Sequence, residues 1–390
     1  MIWTLLFWIS VILMFHSYVW YPLLLQLLAY GKKLEVTELP EEELPDLVVL
    51  MSVYNGERLI RQKVESIFTS AYPAQKVFAY IGSDCSDDGT NQLLTELVKT
   101  YPNLKPFFFS NRIGKIRVIN QLMLEVKKDG LKDSVCIMTD LSAMFDAACF
   151  KHLVNTLQMP GVGLAGAYIL KGEHRKDGIS FQEKAYYDRE LQMKYREGLL
   201  WGASAGAFGA CYAIRTADMK PVPPNFLVDD FFMTMQLLQQ GKKAVYSKKA
   251  IVYMELPNES AVEFRRKARI AAGNFQNLRY FLPLLFKFNA TAFALCSHKV
   301  IRWLGPFFML TAYLASYQLY ELHVVYRLAF ITQSLLLASP LVNYLLEQAQ
   351  IHLKLLKFVA HFYLMNLGIL AGFFNYAKGI KTNVWTPTQR

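Results

Sequence analysis

Long apolar runs occupy both ends of the chain, and shorter ones alternate with polar segments in between. Residues Ile2 to Tyr30 contain no Asp, Glu, Lys or Arg, and about 20 apolar residues are enough for a helix to cross a bilayer. Three further charge-free runs with aromatic residues near their ends follow later: Trp303 to Tyr320, Leu328 to Leu346 and Phe358 to Ala377. The pattern predicts transmembrane helices at both ends.

The first apolar run differs from a secretory signal peptide. A signal peptide starts with positive charge and ends at a small-residue cleavage site, whereas this run starts uncharged and is followed by Lys32 and Lys33. We therefore expect an uncleaved anchor whose C-terminal end lies in the cytoplasm. The stretch Tyr280 to His298 is interrupted by Lys287 and preceded by basic residues, which favours a helix in the membrane interface. Three C-terminal crossings would leave the basic residues Lys378, Lys381 and Arg390 outside, so a re-entrant segment and a crossing by Tyr280 to His298 both stay open. Pro340 makes its run the least suited to a simple span.

Composition supports the same division of the chain. Apolar residues make up 53% and charged residues 19%, against ~45–50% and ~25% in soluble domains. The net charge of +11 lies beside apolar segments, which indicates an anionic membrane surface and argues against nucleic-acid binding. Five scattered cysteines without a CxxC pair argue against a zinc knuckle or a disulfide framework. The expected segments are an anchor (1–31), a cytoplasmic domain (32–279), an interfacial helix (280–299), transmembrane helices (300–378) and a basic tail (379–390).

Between the membrane segments, three apolar runs each end in polar residues. The runs are Leu47 to Val53, Val77 to Ile81 and Val135 to Met138. The first is followed by apolar residues at helical spacing, namely Leu59, Ile60, Val64, Ile67 and Phe68. Repeated strand, turn and helix units predict an α/β domain with a parallel sheet, whose ligand site lies outside the carboxyl ends of the strands.

Two acids follow successive predicted strands. Asp84 comes after the second run and Asp140 after the third, so both should face one crevice. A carboxylate there can accept a hydrogen bond from a nucleobase or ligate Mg²⁺, which needs only one or two protein carboxylates beside substrate phosphates. Taken singly, Asp84 could simply form a turn and Asp140 could cap a helix. Together they favour a nucleotide site.

Three later features allow two interpretations each. The small-residue run Gly202 to Ala210 either lets backbone approach a ligand closely or packs as a turn in the core. Asp229 and Asp230 precede an amphipathic helix, where one acid could cap the helix and the other serve as a base. Arg266 and Arg269 share a helix face, which suits either phosphate or lipid headgroups.

The order of these elements resembles the membrane-bound family 2 inverting glycosyltransferases, which include cellulose, chitin and hyaluronan synthases and many bacterial polysaccharide and glycolipid enzymes. The resemblance covers roughly residues 47–280 and the flanking membrane helices. Its most specific portion is Ser83 to Thr90, close to the family's S-D-x-S-x-D-G-T loop. Further matches are Asn111 to Lys115 with Asn120, Asp140 to Ser142 at the D-x-D position, and Val228 to Asp230 at the T-E-D-like position.

The resemblance implies a GT-A-type nucleotide-sugar-binding α/β domain with a mostly parallel central sheet, plus transmembrane helices at both ends. It implies that Asp230 is the catalytic base, beside Asp229. The implied nucleotide-binding residues are Tyr54, Glu57, Asp84, Arg112, Lys115 and Asp140. Those implied for the diphosphate are Arg266 and Arg269, those on the acceptor side are Gly206, Phe208 and Gly209, and those for Mg²⁺ or Mn²⁺ are Asp140 and Ser142.

Two positions depart from the family pattern. Ser142 replaces the second acid of the D-x-D motif, which leaves one carboxylate fewer to bind a metal ion. Ile270 stands where processive members carry the Trp of Q-x-x-R-W, which borders the acceptor sugar. An aliphatic residue lacks a flat face for stacking, so transfer of a single sugar or a short chain is favoured. The tail from Trp385 to Arg390 resembles a W-x-x-T-x-R segment of relatives, without an assigned role.

The expected function is therefore that of a non-processive membrane glycosyltransferase. It would move a sugar from a nucleotide diphospho-sugar, a UDP-sugar by the family pattern, to a lipid-linked or saccharide acceptor in polysaccharide or glycolipid synthesis. Its expected location is the bacterial plasma membrane, with membrane lipids around its helices and the catalytic domain in the cytoplasm. One alternative is a catalytically weakened relative that acts as a scaffold, suggested by Ser142 and Ile270. A transporter is disfavoured because the interiors of the C-terminal runs carry no charge for a substrate path.

Overall fold

The computed structural model describes residues 1–171, 179–255, 259–380 and 382–383. The chain divides into two compact units. One, called here the sheet unit, comprises Ala29–His174, Tyr187–Leu256 and Ile380–Arg390. The other, called the helical unit, comprises Met1–Leu28, Arg175–Tyr186 and Pro257–Gly379.

The sheet unit is built on one sheet, in which the described residues form eight strands. They are β1 (Leu47–Val53), β2 (Val77–Ser83), β3 (Leu104–Phe108), β4 (Val135–Thr139), β5 (Ala143–Phe145), β6 (Val162–Lys171), β7 (Cys211–Arg215) and β8 (Lys243–Met254). Their order is β3-β2-β1-β4-β7-β6-β8-β5. Strand β1 pairs in parallel with β2 and β4, and β2 pairs in parallel with β3. The predicted parallel arrangement of the three apolar runs is therefore confirmed.

Strand β7 reverses the direction of the sheet. It pairs antiparallel with β4 on one side and with β6 on the other, while β6 and β8 are parallel. In the β4–β7 pair, the last residue of β4, Thr139, lies opposite the first residue of β7, Cys211. The reversal therefore brings the chain that precedes β7 to the same edge as the chain that follows β4.

The helices of the sheet unit are α3 (Glu57–Phe68), α4 (Thr90–Leu97), α5 (Lys115–Lys128), α6 (Cys149–Leu157) and α8 (Asp229–Gln239), and α7 (Ser180–Trp201) belongs to it from Tyr187 onward. The helix predicted after the first strand is confirmed. On α3, Ile60, Val64 and Ile67 are fully buried in the core under the sheet. This burial follows from their helical spacing, which puts all three on one face.

The helical unit contains α1 (Ile2–Phe15), α2 (Tyr21–Leu28), α9 (Ser260–Tyr280), α10 (Ala290–Ala294), α11 (Ile301–Trp303), α12 (Gly305–Gln318), α13 (Val324–Gln348) and α14 (Lys354–Ala377). A π-helical turn, His16–Trp20, joins α1 to α2. Among the described residues, three helices are long and apolar enough to cross a membrane: Ile2–Leu28, Val324–Gln348 and Lys354–Ala377. They contain or nearly coincide with three of the four predicted runs. In the fourth run α12 has 14 residues, fewer than the about 20 needed to cross alone.

The stretch predicted to form one interfacial helix is broken into short pieces. A 3₁₀ turn, Leu282–Lys287, has a proline in its first turn, and Phe288 after it is left-handed with φ of 46°. Short helix α10 and a π-helical turn, Leu295–Val300, follow. The proline and the left-handed residue prevent a continuous helix.

Helices α9 and α14 approach each other closely at Gly372. A Cβ added there would lie 2.5 Å from the carbonyl oxygen of Ala268 and 2.5 Å from the Cβ of Ala271. Only glycine allows this approach, which lets the two backbones pack directly. One turn earlier, a Cβ on Gly368 would lie 3.4 Å from the Cβ of Lys267, an ordinary contact distance.

This packing gives a test with an internal control. Gly372→Ala should lower the thermal unfolding midpoint, because overpacking costs about 1–3 kcal/mol. Gly368→Ala should leave the midpoint unchanged or raise it, since alanine favours the helix by about 1 kcal/mol over glycine. Thermal unfolding of the full chain in nanodiscs measures both, and equal midpoints for the two variants would contradict the predicted close packing.

Candidate active site

Two loops at the carboxyl end of the sheet are tied to each other. After β1, the side-chain amide of Asn55 donates to Asp87 Oδ1 at 2.6 Å and its carbonyl accepts from the Asp87 amide at 3.1 Å. The amide of Gly56 donates to Thr90 Oγ1 at 2.8 Å, and Glu57 Oε2 accepts from the Gly89 amide at 3.1 Å. The S-D-x-S-x-D-G-T loop is therefore held against the β1 loop, and Glu57 forms part of that bracing.

Asp84 joins the same edge to the basic segment. Its Oδ1 accepts from the Ile113 amide at 2.7 Å, and its Oδ2 accepts from the Gly114 amide at 3.0 Å. The Nε of Arg112 lies 3.3 Å from the same Oδ2, and Asp84 is buried. The Arg112 guanidinium lies 3.4 Å from the ring centroid of Tyr54. Three predicted nucleotide-binding residues are thus brought together.

Lys115 is the first residue of α5 and lies among acids. Its Nζ is 3.0 Å from Asp140 Oδ1 and 3.3 Å from Asp229 Oδ2. Burial by itself disfavours the ammonium, but the carboxylates of Asp140, Asp229 and Asp230 outweigh this and raise the pKa of Lys115. The side chain is therefore a fixed positive charge at the strand ends.

The paired acids at the start of α8 have different surroundings. Asp229 is buried against Lys115, whereas Asp230 is half-buried and accepts from the Phe231 amide at 2.7 Å. Burial and the neighbouring Asp229 carboxylate raise the pKa of Asp230 to about 6, against Lys115, Lys194 and that amide. A carboxyl whose pKa lies near neutral pH is suited to accept a proton.

The small-residue run predicted on the acceptor side reaches both acids. A Cβ added at Gly209 would lie 3.1 Å from Asp230 Oδ2 and 3.6 Å from Asp140 Oδ2, so the backbone passes close to both carboxylates. Gly206 has φ of 91° and packs against the ring of Phe231. The amide of Phe208 donates to the hydroxyl of Tyr246 at 2.8 Å. The run therefore lies against both carboxylates and is fixed by a hydrogen bond to Tyr246, and its acceptor-side role stays a prediction.

Arg266 and Arg269 belong to the helical unit. Arg266 donates through Nε and Nη2 to the two carboxylate oxygens of Glu263, at 2.8 Å and 3.0 Å, and Glu263 is fully buried. Arg266 is thus engaged in a bidentate pair within its own helix. Binding of the donor diphosphate by these two arginines stays a prediction.

Sequence reasoning missed two buried lysines next to the site. Lys63 is fully buried, and Lys194 is buried with its Nζ 3.5 Å from the ring centroid of Phe208. Burial lowers the pKa of Lys63 to about 7, against the effects of Cys211, Asp140 and Cys149. Lys63 could have been found from the sequence, because it lies three residues after Ile60 on the apolar face of α3.

The middle of the chain matches a known protein family. A family model described as "Glycosyltransferase like family 2" matches residues 45–273, which is more than half of the chain. The chain belongs to the family 2-like glycosyltransferases. No sequence among the curated proteins matches it.

Solved structures resemble this glycosyltransferase to different degrees. The mannosyltransferase PcManGT from Pyrobaculum calidifontis, in complex with GDP-Man and Mn²⁺, is similar with a TM-score of 0.69 and 18% identity, over 95% of this chain and 99% of that chain. S. aureus TarS 1–349 has a TM-score of 0.42 and 17% identity, over 74% and 88%. The first likeness confirms the expected GT-A-type α/β fold with a mostly parallel sheet.

A divalent cation fits this glycosyltransferase site only with help from a substrate. Within the described residues, no three His, Cys, Asp or Glu side chains converge as a metal site. The Asp140 side chain is 45% exposed, and Ser142 follows two residues later. Mg²⁺ commonly binds through one or two carboxylates plus substrate phosphates and water. Asp140 and Ser142 are therefore sufficient protein ligands for a cation that arrives with a diphosphate.

The contacts of Asp84 predict a loss of stability on substitution. Asp84→Asn keeps one acceptor but places an amide against a backbone N–H, and a lost charged hydrogen bond costs about 1.5–3 kcal/mol. We expect a lower thermal midpoint of the ligand-free protein. Asp133→Asn, at an exposed position of the same unit, is the control and should change the midpoint little. An unchanged midpoint for Asp84→Asn would show that Asp84 does not hold the loop.

Proposed function

We propose that this family 2-like glycosyltransferase transfers one or a few sugars, with inversion, from a nucleoside diphospho-sugar to a lipid-linked or saccharide acceptor at a membrane. The observation that carries the proposal is the cluster of Lys115 with Asp140, Asp229 and Asp230. It combines a fixed cation, suited to a departing diphosphate, with a carboxyl suited to take a proton.

On the donor side, the base would lie beside Asp84 and the stacked pair of Tyr54 and Arg112. The ammonium of Lys115 would neutralise the negative charge that grows on the diphosphate as the glycosidic bond breaks. A bound Mg²⁺ or Mn²⁺, held by Asp140 and Ser142 with the diphosphate, would add Lewis-acid stabilisation.

On the acceptor side, Asp230 would take the proton of the attacking hydroxyl. The hydroxyl oxygen then bonds to the anomeric carbon from the face opposite the leaving diphosphate, which inverts the configuration. Gly209 allows this chemistry because its lack of a side chain leaves room beside both Asp230 and Asp140. The products are the extended acceptor and a nucleoside diphosphate.

The cellular setting is part of the same proposal. We place the enzyme in a bacterial plasma membrane with the sheet unit in the cytoplasm, because Lys32 and Lys33 follow the first apolar helix. The exposed side chains of Leu282, Phe286 and Phe288, next to Lys287, suit the membrane interface with its anionic lipids. Ile270 supports short products in polysaccharide or glycolipid synthesis.

A donor screen tests the reaction. Purified protein in nanodiscs is given UDP-, GDP- and other nucleoside diphospho-sugars with lipid extract or oligosaccharide acceptors, and release of nucleoside diphosphate is measured. A UDP-sugar is the first expectation, and GDP-mannose is included because PcManGT is described in complex with it. We expect release with one donor class, loss of release in EDTA and recovery with Mg²⁺ or Mn²⁺.

The screen also separates the alternative. Full activity in EDTA would overturn the metal role and leave charge stabilisation to Lys115. Nucleotide binding without release from any donor would support a membrane scaffold instead. Mass measurement of the product tells short transfer from polymerisation.

The role of Asp230 predicts both a variant and a pH effect. Asp230→Asn should keep donor affinity but lower turnover by about 10²–10⁴-fold, the usual scale of general-base loss. Because the base acts as a carboxylate and its pKa is raised to about 6, the wild-type rate should fall as the pH drops through about 6. An ordinary aspartate would lose its charge only near pH ~4.

Stopped assays between pH 5 and 8 check this, with Asp133→Asn at an exposed position of the same unit as the control for loss of charge. Near-normal turnover in folded Asp230→Asn would remove this residue from the mechanism.

A further inference from the structure

A buried lysine lies directly beneath the candidate metal loop. Lys63, on α3, has no exposed surface. Its Nζ donates to Thr139 Oγ1 at 2.9 Å and to the carbonyl oxygen of Ala143, and it lies 3.7 Å from the ring centroid of Phe145. Within the described part of the chain, its ammonium forms no ion pair with a carboxylate.

The two acceptors of Lys63 bracket the D-x-S segment. Thr139 precedes Asp140, and Ala143 follows Ser142. The amide of Ala143 donates to the Asp140 carbonyl at 3.2 Å, which closes Asp140 to Ala143 into a tight turn. Lys63 therefore binds this turn at both of its ends.

The same contacts reach the acceptor-side run. The hydroxyl of Thr139 accepts from Lys63 and donates to the Ala210 carbonyl at 2.8 Å. The amide of Asp140 approaches the same carbonyl at 3.4 Å. Ala210 follows Gly209, whose backbone passes close to both Asp140 and Asp230. Lys63 is thus linked by hydrogen bonds to the residues on both sides of the reacting centre.

The chemistry of this position is costly for folding alone. A buried lysine amine that pairs with no carboxylate loses its hydration and regains only part of it from a hydroxyl, a carbonyl and an aromatic face. An unbranched apolar side chain of similar length would fill the same space without that cost. Charged groups kept in such places are candidates for a functional task.

We propose that Lys63 is a positioning residue that holds the Asp140–Ala143 turn, so that the Asp140 carboxylate and the Ser142 hydroxyl face the donor diphosphate and its cation. This inference rests on the proposed function. Lys63 acts through the turn and does not itself touch the substrate.

The test compares Lys63→Met with Val64→Ala, the neighbouring core position on α3. Lys63→Met should leave the thermal midpoint unchanged or raise it. It should weaken Mn²⁺ binding in the presence of nucleoside diphosphate about 10–100-fold, the usual effect of losing a group that orients a metal ligand. Binding is measured by electron paramagnetic resonance of full-length protein in nanodiscs, and turnover should fall together with it. Val64→Ala should lower the midpoint but leave Mn²⁺ binding per folded molecule unchanged.

A second variant keeps the proposal testable if Lys63→Met folds poorly. Thr139→Val removes the hydroxyl that links Lys63 to Asp140 and Ala210, and it should weaken Mn²⁺ binding in the same direction. In the double variant, the fold-loss of Mn²⁺ affinity should be smaller than the product of the two single fold-losses, because both changes break one chain of contacts.

Two outcomes would overturn the proposal. Unchanged Mn²⁺ binding in folded Lys63→Met or in Thr139→Val would show that the turn does not need the ammonium. Loss of binding only in proportion to loss of folded protein would mark Lys63 as structural. Failure of the proposed function looks different, because wild-type protein would then neither bind nucleoside diphosphate nor release it in the donor screen.

Discussion

The ammonium of Lys115 among the carboxylates of Asp140, Asp229 and Asp230 is the interaction on which the site depends. These acids come from the end of β4 and the start of α8, and they would repel one another at such short range without a cation between them. The Lys115 ammonium lowers the repulsion among these carboxylates. In the proposed function, the same positive charge is already in place for a bound diphosphate. The strand reversal at β7 adds a further segment to this cluster, since it brings Gly209 close to two of the acids.

Around that cluster, the loops are held in place before any ligand binds. Asp84 fixes the amides of Ile113 and Gly114, and the Asn55–Asp87 pair joins the β1 and β2 loops. Each bond orders backbone that would otherwise lose freedom on binding, so part of the entropic cost is met during folding. The edge proposed to bind the nucleotide is therefore preorganised by its own polar residues.

The helical unit follows a different set of physical rules. Two of its buried carboxylates have close partners: Glu263 pairs with Arg266, and Glu183 Oε1 lies 2.9 Å from His361 Nε2. Between apolar helices, close backbone contact at Gly372 and hydrogen bonds such as Ser17 to the Ser297 carbonyl at 2.6 Å provide specificity that hydrophobicity alone does not. These contacts give buried polar groups partners within a mostly apolar unit.

The periodic elements and the local motifs can be predicted from the order of the residues alone. The apolar runs Leu47 to Val53 and Val77 to Ile81 were sufficient to predict parallel strands, because burial on both faces demands continuous apolar residues. The long charge-free helices followed from bilayer thickness, although Trp303 to Tyr320 produced a shorter helix than its hydropathy suggested. The polar residues at successive strand ends predicted a candidate site at one edge of the sheet, since parallel strands share a carboxyl edge.

The contacts among these residues depend on the tertiary fold. The contact between Gly209 and the two acids depends on the antiparallel pairing of β7, which no local pattern specifies. The resemblance predicts Arg266 as a diphosphate ligand, and the structure adds that its guanidinium pairs with Glu263 within its own helix. Lys63 lies on the apolar face of α3, and its acceptors, Thr139 and Ala143, are distant in sequence. Contacts of this kind depend on how distant segments pack, whereas a sequence pattern records only the preferences of neighbours along the chain.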